Sequence, residues 1–210
     1  MAENGTGRRG SYAKGVAKRE EILTRALEVI AREGYRGASV KELADAVGLS
    51  QAGLLHYFEG KEELFTEILR KRDERDSADM GLDAATASPE AAPADLRELR
   101  DGYVGIVRHN AEVPGLVQLF ARLSVDAADP EHPAHRFFVA RGETLRGYFA
   151  AAIAAGQESG EITDRIDPAT LARIFQAVAD GLQLQWMQQP DVDMAATIDA
   201  LFELLTTEKR

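Results

Sequence analysis

The chain has 210 residues and a mass of 22.9 kDa, with 45% hydrophobic and 29% charged residues. That balance fits a folded globular chain rather than a disordered or collagen-like one. No run of about 18 uncharged apolar residues exists to span a bilayer, and the lack of cysteine excludes disulfides, thiolate catalysis and zinc–thiolate sites. The net charge of −10 hides a strong asymmetry: residues 1–75 hold 14 Lys and Arg against 13 Asp and Glu, whereas 76–210 hold 11 against 22.

The opening stretch, MAENGTGRRGSYAKG, is polar and glycine-rich. It lacks the apolar core of a secretory leader, so a cytoplasmic location is expected, and residues 1–15 read as a disordered basic arm carrying Arg8, Arg9 and Lys14. Helical spacing of apolar residues then recurs along the chain, and no segment alternates long enough to read as a strand. Val16, Ile22, Leu23, Ala26, Leu27, Ile30 and Ala31 mark a helix over 16–33, stopped by Gly34. Ser39-Val40-Lys41-Glu42 is a capping box opening a short helix over 40–47. After Gly48-Leu49-Ser50 a second short helix runs over 51–57, with Ser50 as its cap. Lys61 opens a helix over 61–76, whose charged far end, Arg70 to Asp76, reads as solvent-exposed.

Residues 77–94, with Pro89 and Pro93, read as a loop or linker. Beyond it, helices are expected at about 95–112, 114–127, 134–157, 168–188 and 193–206. Asp167-Pro168 supplies a cap and a proline at the first helical position of the fourth of these, and Pro190 ends it. His132 and His135, near Asp129 and Glu131, read as loop and helix-start residues, so no metal site is expected. No nucleophile elbow or phosphate loop is present, and the expectation is a non-enzyme without a cofactor.

Two short helices joined by a three-residue turn containing glycine stand at a steep angle. Val40, Leu43, Val47, Leu49, Leu54 and Phe58 can share one small core with the helix over 16–33. The opposite side of 51–57 then stays free for a major groove about 12 Å wide. The motif resembles the DNA-binding domain of the tetracycline-repressor (TetR) family of transcription regulators. The likeness rests on Ile22-Leu23, Ala26, Gly34-Tyr35, Ser39-Val40, Leu43-Ala44, Val47-Gly48, Ser50, Leu54, His56-Tyr57-Phe58 and Lys61-Glu62-Glu63-Leu64. The C-terminal part resembles the family only loosely, through helix order and Ala-Asp-Gly-Leu at 179–182 before Trp186.

The resemblance implies an all-α fold, with a helix-turn-helix unit over 16–60 followed by a larger effector-binding and dimerisation domain over 61–210. It implies phosphate contacts at Ser39, Lys41, Tyr57 and Lys61, and base contacts at Gln51, Ala52, Gly53 and His56. A glutamine amide suits adenine. Two positions depart from the family: Gly53 replaces the usual threonine or serine, and Leu55 the usual tyrosine. Arg8 and Arg9 of the arm are expected to follow the phosphate backbone or enter the minor groove.

The resemblance further implies a homodimer on a pseudo-palindromic operator, paired through the last two helices at Phe175, Val178, Leu182, Ile198, Leu201, Phe202 and Leu205. It implies an effector site in the middle helices, here Tyr103, His109, Phe120, Arg122, Phe138 and Trp186, for a small and largely apolar molecule. A highly charged anion would be repelled by the acidic body unless Arg122, Arg141 or Arg146 were focused on it. The expected partners are thus double-stranded DNA, a second copy and an effector, with no membrane, and the expected action is repression relieved by ligand. A helical binding or scaffold protein that no longer reads DNA is the alternative.

Overall fold

The computed structural model describes residues 6–34, 38–79 and 95–206. Side chains are described from residue 13 onward and, in the helix that ends at 79, up to residue 78. Tyr35, residues 1–5 and residues 80–94 of the expected linker lie outside it.

Local signals set most helix ends. Ser39 accepts from the Glu42 amide while the Glu42 side chain accepts from the Ser39 amide, completing the box ahead of α2 (Val40–Ala46). Ser50 accepts from the Gly53 amide and opens α3 (Gln51–Leu55). Gly34 and Gly48 adopt φ of +74° and +68°, left-handed conformations that side-chain-bearing residues rarely take. These glycines end α1 (Thr6–Glu33) and turn the chain between α2 and α3. α4 (Lys61–Asp79), α5 (Leu96–Glu112), α6 (Pro114–Asp126), α7 (His135–Glu158), α8 (Pro168–Gln188) and α9 (Met194–Leu205) follow. Asp95, Asp167 and Asp193 cap α5, α8 and α9 through the third following amide. Among the described residues the only β feature is an isolated bridge between Ile162 and Thr206.

Three expectations need correction. α1 begins at Thr6, so the arm expected to be disordered through residue 15 has a helical backbone from residue 6. Extension onto an existing helix avoids the nucleation penalty and outweighs the glycines at 7, 10 and 15. α4 reaches Asp79, into the expected linker. Its charged end is not a solvated face either: Arg72 and Asp76 are buried, with Arg72 over Phe120 of α6 and paired with Asp73 and Asp76 of its own helix.

The apolar residues form two cores. The first joins Ile22, Leu23, Leu27 and Ile30 of α1 to Leu43, Leu54, Phe58, Leu64 and Ile68, and continues into Leu116, Leu119, Phe120 and Leu123 of α6 and Phe137 of α7. The second takes Leu99, Tyr103, Val107, Phe149, Ile153, Phe175, Leu182, Trp186, Ile198 and Phe202 from α5, α7, α8 and α9. Here four of the seven expected dimer residues are corrected. Phe175, Leu182, Ile198 and Phe202 are 0%, 6%, 0% and 1% exposed within one chain, so they hold α8 and α9 to the body. Val178, Leu201 and Leu205 are half-buried. The outward apolar face of these helices carries Ile174, Leu184 and Leu204, at 37%, 48% and 80% exposure.

Candidate nucleic-acid interface and effector cleft

α3 is held from beneath. Leu54 is fully buried and Phe58 nearly so. From α1, Arg19 donates to the Tyr57 carbonyl at 2.5 Å and to Glu63 Oε1 at 2.7 Å, and its guanidinium stacks on Phe58 at 4.4 Å. One side chain thus fixes the loop after α3 to both α1 and α4. Burial opposes ionisation of Glu63, but hydrogen bonds from Arg19 and the Glu59 amide hold its carboxyl below the usual range.

The other side of α3 is open. Gln51, Ala52 and His56 are exposed, and Gly53 and Leu55 half-exposed. α3 ends at Leu55, two residues earlier than expected, so His56 and Tyr57 sit in the turn after it, with their rings edge to face at 6.2 Å. Leu55 packs against the first core, and the Tyr57 ring is half-buried against it too. A Cβ on Gly53 would stand 3.1 Å from Ser50 Oγ, the cap of the same helix. The missing side chain therefore leaves that cap undisturbed. Lys41 and Lys61 are exposed at the starts of α2 and α4, where amide groups and the helix dipole favour anions. The exposed Ser39 cap lies beside Lys41. The side chains of Arg8 and Arg9 lie outside the described residues.

At the far end of α4 a cleft of about 350 Å³ opens between α4, α5 and α7. Its apolar wall is Leu99, Tyr103, Ile106, Phe137, Leu145, Tyr148 and Phe149. It lies where the two cores meet, taking Phe137 from the first and Leu99, Tyr103 and Phe149 from the second. An ion-pair ladder crosses it. Arg72 donates to Asp73 Oδ1 at 2.6 Å and lies 3.7 Å from Asp76, while Arg141 of α7 donates to Asp73 Oδ2 at 2.8 Å. Burial opposes ionisation of Asp73, yet the two guanidiniums hold its carboxyl below the usual range. Burial pushes Asp76 and Asp180 the other way, toward the protonated acid.

Of the six effector residues expected from sequence, Tyr103 lines this cleft. Phe120 lies behind it, under the Arg72 and Arg141 guanidiniums at 5.0 and 4.8 Å. Phe138 packs on Phe120 and Phe137, and Trp186 belongs to the second core. His109 and Arg122 are exposed, and His109 faces Glu112. Of the three arginines that could meet an anion, Arg141 lines the cleft, whereas Asp73 and Asp76 escaped the sequence reading. The available signal was a charged run of alternating sign at the end of an otherwise amphipathic helix. His132 accepts from the Ala134 amide and His135 meets the Ala127 carbonyl at 2.9 Å, so both tie the α6–α7 turn together.

A supported recognition helix with an open outer face, carried on a helical body, defines a helix-turn-helix DNA-binding protein. Residues 22–68 match the family model for bacterial regulatory proteins of the tetR family, and residues 125–208 match that for the C-terminal domain of BetI-type transcriptional repressors. The HTH-type transcriptional regulator TcmR of Streptomyces glaucescens is 25% identical over 192 residues, spanning 85% of this chain and 76% of its own. The HTH-type transcriptional repressor Rv1474c of Mycobacterium tuberculosis is 26% identical over 191 residues, spanning 89% and 91%. In fold, a TetR-family transcriptional regulator from Agrobacterium tumefaciens superposes with a TM-score of 0.69 at 23% identity over 92% of this chain and 100% of that one. The chain belongs to the TetR family of transcription regulators: it is a DNA-binding protein and not an enzyme. No helix among the described residues is long and apolar enough to cross a membrane.

Proposed function

We propose that this regulator is a repressor. It binds a pseudo-palindromic operator as a homodimer and is released when a small, largely apolar effector enters the cleft between α4, α5 and α7. The observation that carries this reading is the course of α4. Its first turn lies beside the recognition unit, and its last turns supply Arg70, Asp73, Asp76 and Ser77 to the cleft. A ligand there acts directly on the helix that sets the angle of α3. If it prefers the dimer shape with badly spaced recognition helices, linkage requires that it lower operator affinity.

Gln51 and His56 read base edges, with Ala52 and the bare backbone at Gly53 lying against the groove. Ser39, Lys41, Ser50, Tyr57 and Lys61 contact phosphates, and Arg8 and Arg9 extend the charged track. The dimer forms through the outward face of α8 and α9, where Ile174, Leu184 and Leu204 are exposed.

Selection of bound duplexes from random DNA tests this reading. The selected site should contain two inverted half-sites with centres about 34–36 Å apart or a multiple of one helical turn, each occupied by one protomer. A single unrepeated site bound by one chain would overturn it.

A further inference from the structure

The chemistry at the inner end of the cleft goes one step further, and this step rests on the cleft being the effector site. The cleft continues into a chamber of about 40 Å³, and the two share Tyr103, Ile106, Arg141 and Leu145. At that junction the polar groups are unevenly satisfied. Asp73 accepts from two guanidiniums, and Glu74 is paired with Lys71 at 3.1 Å. Arg141 is the opposite case. Its Nε serves Asp73, but its two Nη groups donate to no acceptor among the described residues. The Tyr103 hydroxyl likewise donates to none, although the residue is 8% exposed. Arg141 lies close enough for its charge to oppose the burial that pushes the Tyr103 hydroxyl up to about 12. Beyond them the chamber ends at Asn110, whose Oδ1 is buried and unpartnered.

We infer that the effector is an apolar monocarboxylic acid, whose carboxylate takes the free edge of Arg141 and the hydroxyl of Tyr103 while its hydrocarbon or aromatic body lies on Ile106, Leu145, Tyr148 and Phe149. A guanidinium edge matches a carboxylate in plane and charge, and about 350 Å³ admits a body of this size. A cationic effector finds no equivalent. Asp73 and Glu74 are already paired, and Asp76 and Asp180 are the remaining acids facing this volume. Burial pushes both of them toward neutrality, so they neither claim a cation strongly nor repel one carboxylate strongly. The entering carboxylate shares Arg141 with Asp73, which keeps its bond from Nε and its second guanidinium, Arg72. Arg141 carries the one ion pair joining α4 to α7 among the described residues, so a carboxylate on its other edge draws charge from that pair and links occupancy to the position of α4.

The test compares three probes of one shape, 4-phenylbutyrate, 4-phenylbutan-1-ol and 4-phenylbutylammonium, by titration calorimetry on the full-length protein. The acid should bind the wild type about tenfold or more tighter than the other two, as a charge-assisted pair requires. Arg141→Met should bring acid and alcohol to equal affinity, and Tyr103→Phe should lower the acid several-fold while leaving the alcohol unchanged. Equal or tighter binding of the alcohol or amine to the wild type overturns the inference, as does an acid preference that survives Arg141→Met, or no binding by any probe. If Arg141→Met does not fold, Tyr103→Phe decides alone, and an unchanged acid-to-alcohol ratio overturns the inference. Thr144→Trp, at the exposed rim, separates the two levels. Unaltered binding of every probe in that variant removes the cleft as the site. Weaker binding of every probe, without acid preference in the wild type, keeps the cleft and removes only the acid.

Discussion

Two exposed side chains at the recognition unit differ in chemistry, and the proposed contacts divide between them accordingly. Gln51 is an amide at the first position of α3, able to pair with two atoms of an adenine, and such a pair discriminates by about 1–3 kcal/mol. Lys61 is a point charge at the start of α4, with its Nζ 5.6 Å from the Phe65 ring. Gln51→Ala should therefore change the ranking of operator variants. Lys61→Ala should weaken all duplexes alike and reduce the salt slope by about one. Gel shifts across a panel of single-base variants at several salt concentrations check both, and an identical loss at every sequence for the two variants would refute the division. With nothing beyond a backbone at Gly53 and with Leu55 packed inward, fewer side chains than usual face the bases. Discrimination at the remaining positions is then expected to come from DNA shape.

The helices differ in how plainly the sequence announces them. Ser39, Ser50 and Asp167 are caps whose residue type and position state where a helix starts, and all three make the bond expected of them. Gly34 and Gly48 likewise mark stops by their positive φ. What spacing does not tell is which of two apolar stripes on one helix turns inward. α8 carries Phe175 and Leu182 on one stripe and Ile174 and Leu184 on the next, and only packing by α7 and α9 decides between them. The cleft was illegible for a related reason: Arg72, Asp73, Asp76 and Arg141 carry surface-type side chains, and the pair that ties α4 to α7, Asp73 with Arg141, joins residues 68 positions apart.

The α1–α4 contact has a pH signature. Glu63 has a lowered native pKa, so the stability it contributes is present above its ordinary value of 4.5 and is lost as pH falls through the lowered native value. Thermal melts should show the Glu63→Gln variant less stable than wild type at pH 7 and the gap closing toward pH 3. A gap that widens on acidification would contradict the pairing.

For the whole molecule, the proposed assembly rests on the exposed apolar residues of α8 and α9. A leucine 80% exposed at 204, with others at 184 and 174, is an apolar face left over after the protomer has filled its own core. A charge placed there meets water in the monomer and an apolar partner in the dimer. Leu204→Glu should leave the melting of the protomer fold nearly unchanged, within about 0.5 kcal/mol for an exposed site, while shifting sedimentation to the monomer and weakening operator binding. Phe202→Glu, two residues away, should instead unfold the chain, because that side chain is 1% exposed. A Leu204→Glu protein that stays dimeric would place the interface elsewhere.

The continuity of the first core into α6 and α7 bears on modularity. A graft cut at the start of α4, which keeps only residues 1–60, would strip the stripe of α1 that lies on Leu116, Leu119 and Leu123. It would leave a sticky, half-built reader. A transplant that keeps its shape must carry α4 and α6 with it, although neither belongs to the helix-turn-helix pair. Recombination between such regulators is then confined to seams behind α6, well downstream of the segment that recognises DNA.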